Sequence, residues 1–241
     1  MALDVNRLGQ ACALAQQLLG VAGLFKVGST LFTAEGPQAV RELAGLGAEI
    51  FLDLKFHDIP NTVTGAVSSA AELPNVRLLT LHASGGFAMM KAASEAVAPM
   101  QNRPRLLGVT ILTSLDAAAL RQIGLRGTPS SRAVALAKLA KKAGLDGVVS
   151  SAHEVRAIRR ACGPGFLILV PSVRPMGSAK NDQVRIATPG EAAKAGADYL
   201  VVGRPITASE NPRQSAIAVC QEIAAACNLA ALSKAAKSSG N

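Results

Sequence analysis

Short apolar runs and longer stretches with helical spacing alternate along the whole chain. Runs of strand length cover 2–5, 24–28, 49–55, 77–82, 106–112, 147–150, 166–171 and 199–203. Segments with apolar residues at helical spacing follow them, at 7–19, 35–46, 61–73, 86–99, 131–143, 153–161, 189–195 and 211–227. Several open on residues suited to a helix start, such as Asn61-Thr62 after Pro60, or Thr188-Pro189. Three lead into the next strand through Gly47-Ala48-Glu49, Gly144-Leu145-Asp146 and Gly196-Ala197-Asp198. A glycine at a helix C-terminus takes the left-handed capping conformation without strain, which explains the repetition.

Eight β-then-α units in 241 residues predict an α/β fold, a TIM (β/α)8 barrel in a single domain. A doubly wound parallel sheet alternates the same elements and is the main rival. No G-x-G-x-x-G follows any of the strands, which weakens its dinucleotide-binding form. There is no linker or low-complexity block, so the barrel is expected over residues 1–228. Residues 229–241, ending in KSSGN, are expected to fray as a tail. The first strand starts at residue 2 with almost no lead-in.

Barrel enzymes work at the ends of their strands. Polar residues fall there in this chain: Asp4, Lys26, Asp53-Lys55-Asp58, His82, Thr113-Ser114, Ser172-Arg174 and Gly203-Arg204. The densest group is LDLKFHDIPNT, residues 52–62. Asp53 and Lys55 are two apart in a strand and face one side, while His57 reads as a packing or helix-contacting residue. An ion-pair network that merely supports the fold is one reading. Its difficulty is cost, because charges buried at a barrel mouth are expensive unless used or fully paired. A lysine held among carboxylates keeps its proton. It is therefore a poor Schiff-base nucleophile and a good positioned acid, suited to protonating a carbanion-like centre, with decarboxylation among the candidates. The segment LVVGRPIT, 200–207, puts Gly203, Arg204 and Pro205 at a strand end where barrels often hold phosphate. The long polar stretch 171–189 suits a lid, or a plain surface loop.

Composition narrows the surroundings. Hydrophobic residues make up 49% of the chain, with six Phe, one Tyr and no Trp, so the core is aliphatic, as in sheets buried on both faces. No apolar stretch reaches the roughly 18–20 residues that span a bilayer, and no membrane partner is expected. MALDVNRLGQ has neither a basic leader nor an apolar signal core, so the expected compartment is cytoplasmic. Cys12, Cys162, Cys220 and Cys227 show no metal or redox spacing and read as free thiols. The net charge of +9 raises the question of nucleic acid. The basic residues, however, lie in helical patterns such as Lys138, Lys141 and Lys142, without interleaved aromatics, and read as solvated faces.

FLDLKFHDIPNTV resembles the signature of the orotidine 5′-phosphate decarboxylase family. The resemblance continues in order through ALDV, FKVGSTLFTAEGP, LHASGG, GVTILTS, LDGVVSSAHE, PSVRP and ADYLVVGRPIT, from residue 2 to about 225. It implies a homodimer of TIM barrels that converts orotidine 5′-monophosphate to uridine 5′-monophosphate and carbon dioxide, with no metal and no organic cofactor. Lys55 would protonate carbon 6 of the pyrimidine, and Asp53 would lie against the leaving carboxylate and hold Lys55 charged. Asp58 and Thr62 would enter the neighbouring subunit's site. Asp4 and Lys26 match the positions that bind ribose hydroxyls, and Thr113 and Ser114 those at the ring. Arg174, Gln183, Gly203 and Arg204 match the phosphate side, with Gln183 and Arg204 closing on the phosphate. A related alternative is a magnesium-dependent sugar-phosphate decarboxylase or synthase, which shares D-x-K-x-x-D but differs after it. A basic RNA-binding module is a third reading, resting on charge alone.

Overall fold

The computed structural model describes residues 1–175 and 187–238, with side chains up to 228. Its sheet is entirely parallel, with strands neighbouring one another in chain order. These are β1 (Phe25–Gly28), β2 (Ile50–Phe56), β3 (Val76–His82), β4 (Arg105–Val109), β5 (Gly147–Val149), β6 (Leu167–Val170) and β7 (Tyr199–Leu200). The stretch expected as a first strand, 2–5, is instead a single parallel bridge between Ala2 and Lys26. Ala2 N–H donates to Val202 O at 2.8 Å and Leu3 N–H to Lys26 O at 3.0 Å. Residues 1–3 thus span the gap between β1 and the chain just after β7, and occupy the eighth position of the barrel. Three residues are too few for a ladder.

The helices α1 (Leu8–Leu18), α3 (Gln38–Gly45), α4 (Pro60–Ala71), α5 (Gly86–Val97), α7 (Pro129–Lys142), α8 (Val155–Cys162) and α9 (Pro189–Ala195) fall where periodicity puts them. The last, α11 (Pro212–Ser238), stays helical into the stretch expected to fray. Three short helices are not among the expected segments: α2 (Ser29–Glu35), α6 (Ala117–Gln122) and α10 (Arg204–Thr207). Gly47, Gly144 and Gly196 all take positive φ, at 86°, 88° and 101°, as helix-ending glycines do.

Strand alternation sorts the aliphatic residues into two layers. Phe51, Leu78, Leu107, Val109, Val149, Leu169 and Val201 fill the barrel interior. Their neighbours Leu52, Leu79, Leu106, Val148, Ile168 and Val202 face the helices. The acids that follow the capping glycines pin the strand starts. Asp146 accepts Leu106 N–H at 2.8 Å and both Arg103 Nη groups at 2.7 and 2.8 Å. Asp198 accepts Ile168 N–H at 2.7 Å and Arg159 Nη2 at 2.6 Å, and Glu49 pairs with Arg77. This end of the barrel serves stability.

Candidate active site

At the opposite end, the inward positions change from aliphatic to charged. On β2 Phe51 fills the interior and Asp53, two residues on, is 7% exposed. Lys26 on β1 lies beside it, with its Nζ 3.6 Å from Asp53 Oδ2. On its other side Lys26 Nζ donates to Asp4 Oδ1 at 2.9 Å. Lys55 Nζ donates to Asp53 Oδ2 at 2.7 Å. The four side chains form one row of alternating charge, Asp4–Lys26–Asp53–Lys55, with no net charge.

Simple alternation pairs Asp53 with Lys55, and the structure reaches that pairing by a less regular route. Leu52 pairs with Leu79, but the next paired residue, Phe56, meets Leu81, so β2 is bulged across 53–55. Lys55 takes φ 52°, in the left-handed region that a residue with a Cβ normally avoids. Its backbone N–H donates to Thr80 Oγ1 at 3.0 Å, and that hydroxyl donates to Asp53 Oδ1 at 2.9 Å.

Two adjoining cavities open on the row. The smaller, about 220 Å³, is lined by Lys26, Asp53, Lys55, Thr113, Ser150 and Ser172. The larger, about 510 Å³, adds Asp4, Gly28, Arg174, Gly203 and Arg204. Ser172, on both walls, also has positive φ, at 62°. Arg204 and Pro205 begin α10, a single turn of four residues, so its dipole adds little beside the two arginines. A third cavity of about 940 Å³, larger than either, opens at the strand starts beside Glu49, Arg77 and Arg105. The charge row is not part of it.

The family follows from comparison of the whole chain. A sequence model of the "Orotidine 5'-phosphate decarboxylase / HUMPS family" matches residues 1–219. The chain belongs to this family. It is 53% identical over 218 residues to the orotidine 5'-phosphate decarboxylase of Anaeromyxobacter sp. (strain K), covering 90% of this chain and 94% of that protein. It is 50% identical over 223 residues to the enzyme of the same name from Nitrosococcus oceani, covering 92% and 96%. The crystal structure of orotidine 5'-phosphate decarboxylase from Lactobacillus acidophilus superposes with a TM-score of 0.80 at 35% identity, covering 92% and 96%. The fold is therefore the TIM barrel of these decarboxylases.

Of the residues that the family resemblance points to, the structure gathers Asp4, Lys26, Asp53, Lys55, Thr113, Arg174, Gly203 and Arg204 around the two cavities. Asp58, Thr62 and Ser114 are exposed and line neither. The Asp58 carboxylate accepts the N–H of Ile59 at 2.6 Å. Gln183 lies outside the described residues. Thr80 was not apparent from the motifs, although it is a polar residue inside an apolar strand, hydrogen-bonded to Asp53 across the bulge. Nor was the contact of His57 with His82, whose rings lie 5.2 Å apart. Burial, then His57 and Lys55, hold the His82 imidazole below the ordinary 6.5.

Proposed function

We infer that this protein decarboxylates orotidine 5′-monophosphate to uridine 5′-monophosphate and carbon dioxide, the closing step of pyrimidine nucleotide synthesis. The alternating row Asp4–Lys26–Asp53–Lys55 at the mouth of the barrel carries this reading. The pyrimidine occupies the smaller cavity, near Thr113, with its carboxylate against Asp53. As the bond from carbon 6 to the carboxylate breaks, its electron pair stays on carbon 6 and carbon dioxide leaves. Negative charge thereby moves away from Asp53 and towards Lys55. Lys55 gives a proton to carbon 6 and is reprotonated from solvent. The row favours the reacting state over the bound substrate, as catalysis requires.

Asp4 and Lys26 hold the ribose hydroxyls. Arg174, Gly203 and Arg204 take the phosphate in the larger cavity, with Gln183 closing on it, so remote binding energy acts on the ring. Asp58 and Thr62 reach the site of a second copy in a cytoplasmic homodimer. Their exposure supports this, as does neighbouring Ile59, an apolar side chain left 65% exposed.

The family description spans the magnesium-dependent alternative too, but the relatives reported above carry the decarboxylase name. Both oxygens of Asp53 are already engaged, by Thr80 and by Lys55, which leaves it ill suited to ligate a metal. The test is loss of orotidine monophosphate absorbance with purified protein in excess EDTA. Turnover should persist there and vanish in Lys55→Ala; no wild-type turnover, or full turnover in the variant, defeats the reading. Mixing Lys55→Ala with Asp58→Asn chains should restore activity if the site is shared.

A further inference from the structure

Thr80 sits on β3 with no exposed surface. Its hydroxyl makes two bonds that constrain each other: it donates its one proton to Asp53 Oδ1 at 2.9 Å and accepts Lys55 N–H at 3.0 Å. Lys55 needs such an acceptor. The register slip between Leu52↔Leu79 and Phe56↔Leu81 takes its N–H out of the regular ladder. Its backbone is left-handed, at φ 52°, a conformation that persists only when its surroundings over-determine it. One hydroxyl therefore grips the main chain of the lysine and the carboxylate that the lysine's ammonium meets at 2.7 Å.

We propose that Thr80 is a positioning residue for the decarboxylation: its hydroxyl fixes Asp53 and Lys55 relative to each other, so that the proton donor keeps its bulged backbone and the carboxylate a single orientation. The proposal rests on the assignment of Asp53 and Lys55 as the reacting pair. Thr80 touches neither cavity and acts through its two partners. A threonine that merely fills the core would be replaced well by valine, which has nearly the same shape and lacks the hydroxyl.

The experiment compares kcat and KM for orotidine monophosphate, and Kd for uridine monophosphate, in wild type, Thr80→Val, Thr80→Ser and Lys55→Ala. Losing a buried bond to a charged group and loosening the donor should lower kcat of Thr80→Val about 10- to 100-fold. Product binding should stay within about threefold, because the product lacks the departing carboxylate, and Thr80→Ser should recover most of kcat. Three outcomes overturn the proposal: kcat of Thr80→Val within twofold of wild type, Thr80→Ser as impaired as Thr80→Val, or kcat and product affinity falling together. If Thr80→Val does not fold, Thr80→Ala carries the same comparison against Thr80→Ser. Full activity in Lys55→Ala would instead overturn the reading beneath the proposal, and an inactive Lys55→Ala beside a fully active Thr80→Val would sink the proposal alone.

Discussion

Replacing Gly28 by alanine perturbs the charge row at a single atom. Gly28 ends β1 with φ −102° and ψ −175°, extended backbone that any residue adopts, so alanine brings no strain. What it adds is a Cβ 2.7 Å from Lys26 Nζ and 3.5 Å from Asp4 Oδ1. Ordinary contact begins near 3.4 Å, so the ammonium must withdraw by about 0.7 Å. Lys26 ends in a flexible stem, and the fold accommodates that movement cheaply. The site does not, because Nζ is held 2.9 Å from Asp4 Oδ1 and 3.6 Å from Asp53 Oδ2. A displacement near 1 Å in a placed group costs on the order of 100-fold, so kcat/KM should fall about 10- to 100-fold. The melting temperature should stay within about 2 °C of wild type, corresponding to about 1 kcal/mol or less. Steady-state kinetics beside a thermal melt reads both. A kcat/KM within threefold of wild type would refute the link between Lys26 placement and rate. An activity loss that tracked a collapse in melting temperature would assign the effect to folding.

Three further outcomes are expected. Gly147→Ala drives a Cβ into the backbone carbonyl of Leu167 on the adjacent strand, where no flexible atom can yield. It should cost about 3 kcal/mol or more, read as a lower urea midpoint. Asp146→Ala removes a largely buried acceptor of Arg103 and Leu106 N–H. It should destabilise by about 3 kcal/mol, while the folded fraction keeps its kcat, because Asp146 is at the far end of the barrel from the charge row. Burial, then His57 and Lys55, hold His82 below 6.5, so the unfolded chain takes up its proton first as pH falls. The His82 contribution to stability should be full above pH 6.5 and decline below it, and His82→Gln should flatten that slope in melts between about pH 8 and 5. An unchanged slope in the variant would exclude His82 as its source.

Much of this was legible in one dimension because the barrel repeats a simple unit. Apolar runs located each strand, and Gly47, Gly144 and Gly196 marked three helix ends through the one conformation glycine favours there. Asp53 and Lys55 were visible because charges at alternate positions after Phe51 contradict a buried strand. The bulge was not visible, since it depends on how β2 registers against β3, a relation between distant segments. Thr80 was hidden for the same reason: in isolation it is a good strand former, and only the pairing sets it beside Asp53. The stretch 2–5 has the composition of a strand, but composition cannot count the residues that reach both neighbours.

The two ends of the barrel use the same residue types to opposite effect. At the strand starts, Asp146 takes donors from Arg103, Arg105 and a backbone N–H, and Asp198 takes Arg159 and another backbone N–H. Burial pushes the Asp146 carboxyl up, but its hydrogen bonds with Arg103, Leu106 N–H and Arg105, together with the Arg103 charge, hold it below the ordinary range. Such saturated acids fix register and have little capacity left for a ligand. At the strand ends, Lys55 Nζ has three N–H bonds and one acceptor among the described residues, and it faces a cavity. Asp53, beside it, is fixed but shared between two lysines. A ligand whose charge shifts during reaction can exchange stabilisation with that row without breaking the fold. Capacity for a moving charge, rather than size, therefore selects the cavities of about 220 and 510 Å³ over the one of about 940 Å³ at the base.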